Sequence, residues 1–162
     1  MIDSSLLRGN RLTTAGATEE VFFDAVRAGD VATTSALLDR HADLVHARAE
    51  GGTALHVAAW ENRPLIAELL LDRGADLDAR DDRHEMLPIA WANEHGHMQM
   101  VRRLRERGAF VPFQLCAAFG LLDGLAEAIA ADGSRIDEVR GYGTALHFAA
   151  LWGQSEAVEL LL

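Results

Sequence analysis

The heptapeptide Thr53-Ala54-Leu55-His56-Val57-Ala58-Ala59 returns as Thr144-Ala145-Leu146-His147-Phe148-Ala149-Ala150 with a single change, Val57 to Phe148. A motif that recurs nearly intact marks an internal repeat, and the repeat governs how every residue inside it is read. Between the two copies, Leu87-Pro88-Ile89-Ala90-Trp91-Ala92-Asn93 keeps the apolar positions and loses the Thr and His. It is a degenerate third copy.

Working outward, each copy is followed by a second apolar run at helical spacing. These are Leu65, Ile66, Leu69 and Leu70, then Met98, Met100, Val101 and Leu104, then Val158, Leu161 and Leu162. Each unit is therefore expected to be two short helices. Thr53 suits the N-cap of a first helix, Pro64 the first turn of a second, and Gly74 and Gly108 left-handed C-caps. Two further units, Val21 to Leu38 and Phe113 to Ile129, keep the helix pair without the motif. The residues that break first helix from second are Gly29, Asn62, Gly96, Gly120 and Gly153, at steps of 33, 34, 24 and 33 residues. At the short step, Gly108-Ala109-Phe110-Val111-Pro112 leaves no room for a turn, so one helix should run directly to the next.

These positions resemble the ankyrin-repeat family, whose unit carries T-P-L-H-x-A-A, then G-H, then L-L-x-x-G-A-D. Here they stand as Thr53-Ala54-Leu55-His56, Gly96-His97 and Leu70-Leu71-Asp72-Arg73-Gly74-Ala75-Asp76. The resemblance implies an all-α solenoid of five helix-turn-helix repeats, the last truncated, joined by short β-turn fingers. Segments 76–86 and 137–143, rich in Asp, Arg and Gly, suit such fingers. The expected organisation is a polar extension over 1–20 and a repeat domain over 21–162, with repeats at about 21–48, 49–82, 83–109, 110–139 and 140–162. The final Glu159-Leu160-Leu161-Leu162 lacks the polar outer face of a terminal repeat, so either the chain continues or this edge self-associates.

Composition narrows the function classes. With 25 acidic and 15 basic residues the formal charge is −10, which repels a phosphate backbone, so no nucleic-acid partner is expected. All the basic residues are arginine, which removes Schiff-base and P-loop lysine chemistry. Cys116 stands alone and forms no internal disulfide. No apolar run reaches the roughly 20 residues that a membrane helix needs. The opening Met1 to Arg11 lacks the apolar stretch of a secretion signal, so a cytoplasmic location is expected.

His56 and His147 are expected to hold backbone and neighbouring repeats rather than to catalyse, since neither has a nucleophile or carboxylate at a telling spacing. His84, Glu85, Glu94, His95 and His97 are the nearest approach to a metal-ligand set. Their spacing does not bring three or four ligands to one point, so no metal or cofactor is expected. Cys116 aligns with Ala58 and Ala149, as a small buried thiol does. Arg102, Arg103, Arg105 and Arg107, interleaved with Glu106, read as a solvated face.

What remains are the positions that packing does not require: the two before each breaking residue, and the one after the motif His. By the resemblance these face the concave side. The candidate partner-binding residues are Val57, Trp60, Glu61, Trp91, Glu94, His95, Phe119, Phe148, Leu151 and Trp152, with Tyr142 from a finger tip. Aromatic anchors concentrate binding energy at interfaces. The expected function is a non-catalytic module that binds a protein or peptide, with the acidic surroundings favouring a basic or mixed partner. The alternative is an enzyme or accessory domain with a metal or small-molecule site near the third-to-fourth repeat junction.

Overall fold

The computed structural model describes residues 5–139 and 143–162, with side chains from residue 16 onward except at 135. Among the described residues the secondary structure is ten α-helices, two short 3-10 turns and one two-stranded sheet. The chain divides into two compact units, residues 1–109 and 110–162.

The first unit holds three helix pairs: α1 (Ser5–Ala28) with α2 (Val31–Arg40), α3 (Ala54–Trp60) with α4 (Pro64–Asp72), and α5 (Pro88–Glu94) with α6 (Met98–Glu106). Helix α1 begins at Ser5 and so runs straight through position 20, where the polar extension was expected to end. Phe22, Phe23, Ala25 and Val26 on its C-terminal half are buried. Leu38, Leu55, Ile66, Leu70, Ile89, Met100 and Leu104 fill the rest of this core. Helix α3 packs between α1 and α5, and α4 lies against α2.

Local chemistry fixes these ends. Asp30 caps α2 by accepting from the Thr33 N–H (3.0 Å) and the Thr33 hydroxyl (2.6 Å). Thr53 caps α3 in a capping box closed by His56, whose Nδ1 accepts the Thr53 N–H at 3.1 Å; a histidine here replaces the usual Glu or Gln. Pro64 occupies the first turn of α4, where its missing N–H costs nothing. All five breaking residues, Gly29, Asn62, Gly96, Gly120 and Gly153, have positive φ. The left-handed step reverses the chain between the two helices of a pair, and only Asn62 makes it with a side chain.

One finger is a hairpin, β1 (Arg48–Ala49) against β2 (Gly52–Thr53), in antiparallel register Arg48↔Thr53 and Ala49↔Gly52. Its two turn residues, Glu50 and Gly51, both have positive φ, as the tightest hairpin turn requires. A Cβ at Gly52 would lie 2.8 Å from the His56 Cβ, which is why a glycine precedes the motif Thr. The next finger, around residues 80–86, closes through Asp81 N–H to the Met86 carbonyl (2.9 Å). It is tied to the first by Asp82 N–H to Gly51 O (2.7 Å) and by the Arg48–Asp82 ion pair.

From α6 the chain passes through residues 107–112 to α7 without a strand, as the short step required. The second unit consists of α7 (Phe113–Phe119), α8 (Leu122–Ala131), α9 (Ala145–Leu151) and α10 (Ser155–Leu161). Phe113, Cys116, Ala117, Leu125, Ala145, Ala149, Ala157 and Leu161 form its core. Cys116 is buried there, with Gly124 packed against its sulfur. Thr144 and His147 repeat the capping box at the start of α9.

Candidate partner-binding surface

Each helix pair after the first within a unit is fastened to the one before it at the same register position. The residue following the breaking residue donates a side-chain N–H to a backbone carbonyl at the end of the preceding first helix. Arg63 Nε donates to Arg27 O (2.6 Å), His97 Nε2 to Trp60 O (2.9 Å), and Gln154 Nε2 to Ala118 O (3.2 Å). The carbonyls near a helix C-terminus have no intrahelical partner, so these donors satisfy groups that would otherwise be orphaned. The equivalent residue on the fourth pair is Leu121, whose side chain has nothing to donate. The spacing singled out His97 as a family position but gave no hint that Arg63 and Gln154 do the same work.

Above the His97 contact lies an aromatic cluster. Trp60, on the last turn of α3, meets Trp91 of α5 edge to face, with ring centroids 5.4 Å apart, and packs edge to face on His95. Trp91 in turn meets the motif residue His56 at 5.0 Å, and His95 stacks on His97. The indole N–H of Trp91 donates to Asp81 Oδ2 at 2.8 Å, so Trp91 is anchored and only partly open. Trp60 has no such tether and remains 41% exposed.

Asp81 is buried and accepts two further bonds, from the N–H groups of His84 (2.7 Å) and Arg83 (2.9 Å). Burial works to raise its pKa, but the three donated hydrogen bonds outweigh it and hold the carboxyl below its ordinary range. His56 is fully buried, and burial, foremost, pushes its pKa down against the pull of the Met86 carbonyl and Asp81. Its Nδ1 accepts from Thr53, so the proton sits on Nε2 and is donated to Met86 O at 3.0 Å. The motif histidine thus joins its own helix to the following finger. Sequence spacing gave no signal for Asp81, because a finger aspartate ten residues before a tryptophan belongs to no helical or strand period.

The other candidates divide by burial. Glu61 is half-buried and Glu94 and His95 are exposed. Val57 is a correction: it is only 3% exposed, turned into the packing around α3, and offers no surface to a partner. In the second unit Leu151 is 78% and Trp152 38% exposed, while Phe119 and Phe148 are half-buried. Tyr142 lies outside the described residues. Among the described residues no three His, Cys, Asp or Glu side chains converge as a metal would need, and no helix is long and apolar enough to cross a membrane.

Comparison with known proteins finds matches along the whole of this arrangement. The family described as "Ankyrin repeats (3 copies)" matches residues 5–81 and 22–115, and "Ankyrin repeats (many copies)" matches residues 89–162. The chain is 30% identical over 148 residues to the Probable E3 ubiquitin-protein ligase XBOS32 of Oryza sativa subsp. japonica, covering 90% of this chain and 25% of that protein. It is 42% identical over 60 residues to human Ankyrin repeat and SOCS box protein 6, covering 36% of this chain and 14% of the relative. To Potassium channel AKT1 of Oryza sativa subsp. indica it is 35% identical over 85 residues, 52% of this chain and 9% of the channel. The chain spans a quarter or less of each of these relatives.

Proposed function

Because this chain belongs to the ankyrin-repeat family, we propose that it is a non-catalytic module that binds a protein or peptide through the exposed side chains of its inner helices. The relatives support a shared binding scaffold and not a shared chemistry, since a ligase and a potassium channel match it over the same kind of repeat. The observation that carries the proposal is the exposure of two tryptophans: Trp60 at the end of α3, whose Leu55 and Val57 are buried, and Trp152, which follows α9 beside the exposed Leu151. An indole left in water has an unfavourable solvation cost that a bound partner removes, and buried aromatic anchors dominate interface energetics. The scaffold already commits both ring nitrogens of His56 and the Nε2 of His97 to hydrogen bonds, which argues for structural histidines rather than proton-transfer groups.

The test is the double variant Trp60→Ala and Trp152→Ala. Loss of two anchors is expected to reduce partner recovery by about thirtyfold or more in affinity, while the far-ultraviolet circular dichroism stays unchanged. Undiminished recovery by the folded double variant would show that these helices are not the interface.

A further inference from the structure

Three histidines take part in the aromatic cluster of the first unit, and they are not in the same condition. His56 is fully buried, with both ring nitrogens in hydrogen bonds. His97 is half-buried, and its Nε2 donates to the Trp60 carbonyl. His95 is exposed, and neither of its ring nitrogens has a hydrogen-bond partner among the described residues. A proton from solvent therefore reaches the His95 ring without breaking any bond. That ring lies 3.7 Å from the Trp60 ring, centroid to centroid, with the planes at 72°. The separation is well inside the roughly 6 Å within which an indole attracts a cation. Trp152, the exposed tryptophan of the second unit, has no ring packed on it among the described residues.

Histidine is the side chain whose charge changes between about pH 5 and pH 8. We infer that His95 is a proton-operated latch on Trp60: neutral, it makes an ordinary edge contact, and as an imidazolium it holds the indole by charge and withdraws it from a partner. The charged and titratable groups of the elements around it are Glu61 at the end of α3, Glu94 before it on α5, His97, Asp81 of the finger, and Arg102, the first charged residue of α6. Of these only His97 makes a ring contact or ion pair with His95, stacking on it with centroids 5.8 Å apart. A second proton on His97 would set like charges face to face across that stack, so the latch closes with the one on His95. The inference rests on the binding role proposed above and adds its regulation, a surface open near neutral pH that closes on acidification.

Acrylamide, a neutral quencher of exposed indoles, tests the latch on the full chain with no partner present. Quenching of tryptophan fluorescence is expected to weaken between about pH 8 and about pH 5.5, across the interval in which histidine gains its charge. His95→Gln should remove this change, and because His95 is exposed the glutamine is accommodated. His97→Gln should keep it, since a glutamine still donates to the carbonyl below, as Gln154 does in the second unit. The same proton should show in stability, because an imidazolium held by the indole favours the folded chain at acid pH and the gain is lost as pH rises. Relative to His95→Gln, the unfolding constant of the unmutated chain in urea should fall about two- to fivefold on acidification. The ratio cancels the contribution of His56, which both chains share. Quenching that rises or stays level on acidification, a response that survives His95→Gln, or one that vanishes with His97→Gln would each overturn the latch. So would an unfolding ratio that does not move with pH. None of these outcomes touches the binding role, and failure of the Trp60→Ala, Trp152→Ala test would sink that role without touching the latch.

Discussion

At the residue scale, His56 shows how one side chain serves both a helix end and its neighbour. Its Nδ1 closes the cap on Thr53 and its Nε2 reaches the Met86 carbonyl, so the ring must stay neutral to do both. In the unfolded chain it takes up a proton near its ordinary 6.5, and in the folded chain burial delays this to lower pH. The unfolded state therefore binds more protons in that interval, and stability rises with pH through it. The urea midpoint should be flat above pH 6.5 and fall progressively below it, and His56→Ala, lower in stability by about 2–3 kcal/mol, should lose that part of the dependence. The repeated heptapeptide made the structural role of this histidine legible. Val57, the very next residue, shows where legibility stops: its position in the motif is shared with the half-open Trp91 and Phe148, and only the packing of α1 and α5 around α3 decides that it is sealed.

At the scale of the element, the helix pairs were readable because their punctuation is local. A left-handed step between helices, a capping Thr and a proline in a first turn each follow from the conformational limits of one residue, and all stand where the spacing put them. The contacts between pairs were less readable. Arg63, His97 and Gln154 share no chemistry that a composition scan would group, yet each donates to a carbonyl 36 or 37 residues earlier. His97→Phe should remove one such bond and orphan the Trp60 carbonyl. The expected cost is about 1 kcal/mol in chemical denaturation, with helix content unchanged. A cost indistinguishable from zero would mean that water replaces the donor without loss.

At the scale of the whole molecule, the helical repeats followed from periodicity and the family from the resemblance of their motifs, whereas the division into residues 1–109 and 110–162 was not expected: the short step between breaking glycines predicted only a direct connection from helix to helix. Stacked repeats stabilise one another by nearest-neighbour burial, and about three are needed before the sum is favourable. A fragment ending at Ala109 holds three helix pairs and its own core, so it should fold with a cooperative thermal transition. A fragment of residues 110–162 holds two, and its circular dichroism should show weak, non-cooperative helix. Cooperative melting of the shorter piece would contradict the nearest-neighbour account. The bond from His97 to Trp60 has one more implication. Its acceptor belongs to the main chain, which no mutation can delete, while the indole of the same residue lies partly exposed against Trp91 and His95. Assembly and recognition thus draw on different atoms of position 60, and a changed side chain there gives up two ring contacts while the main-chain fastening beneath it stays in place.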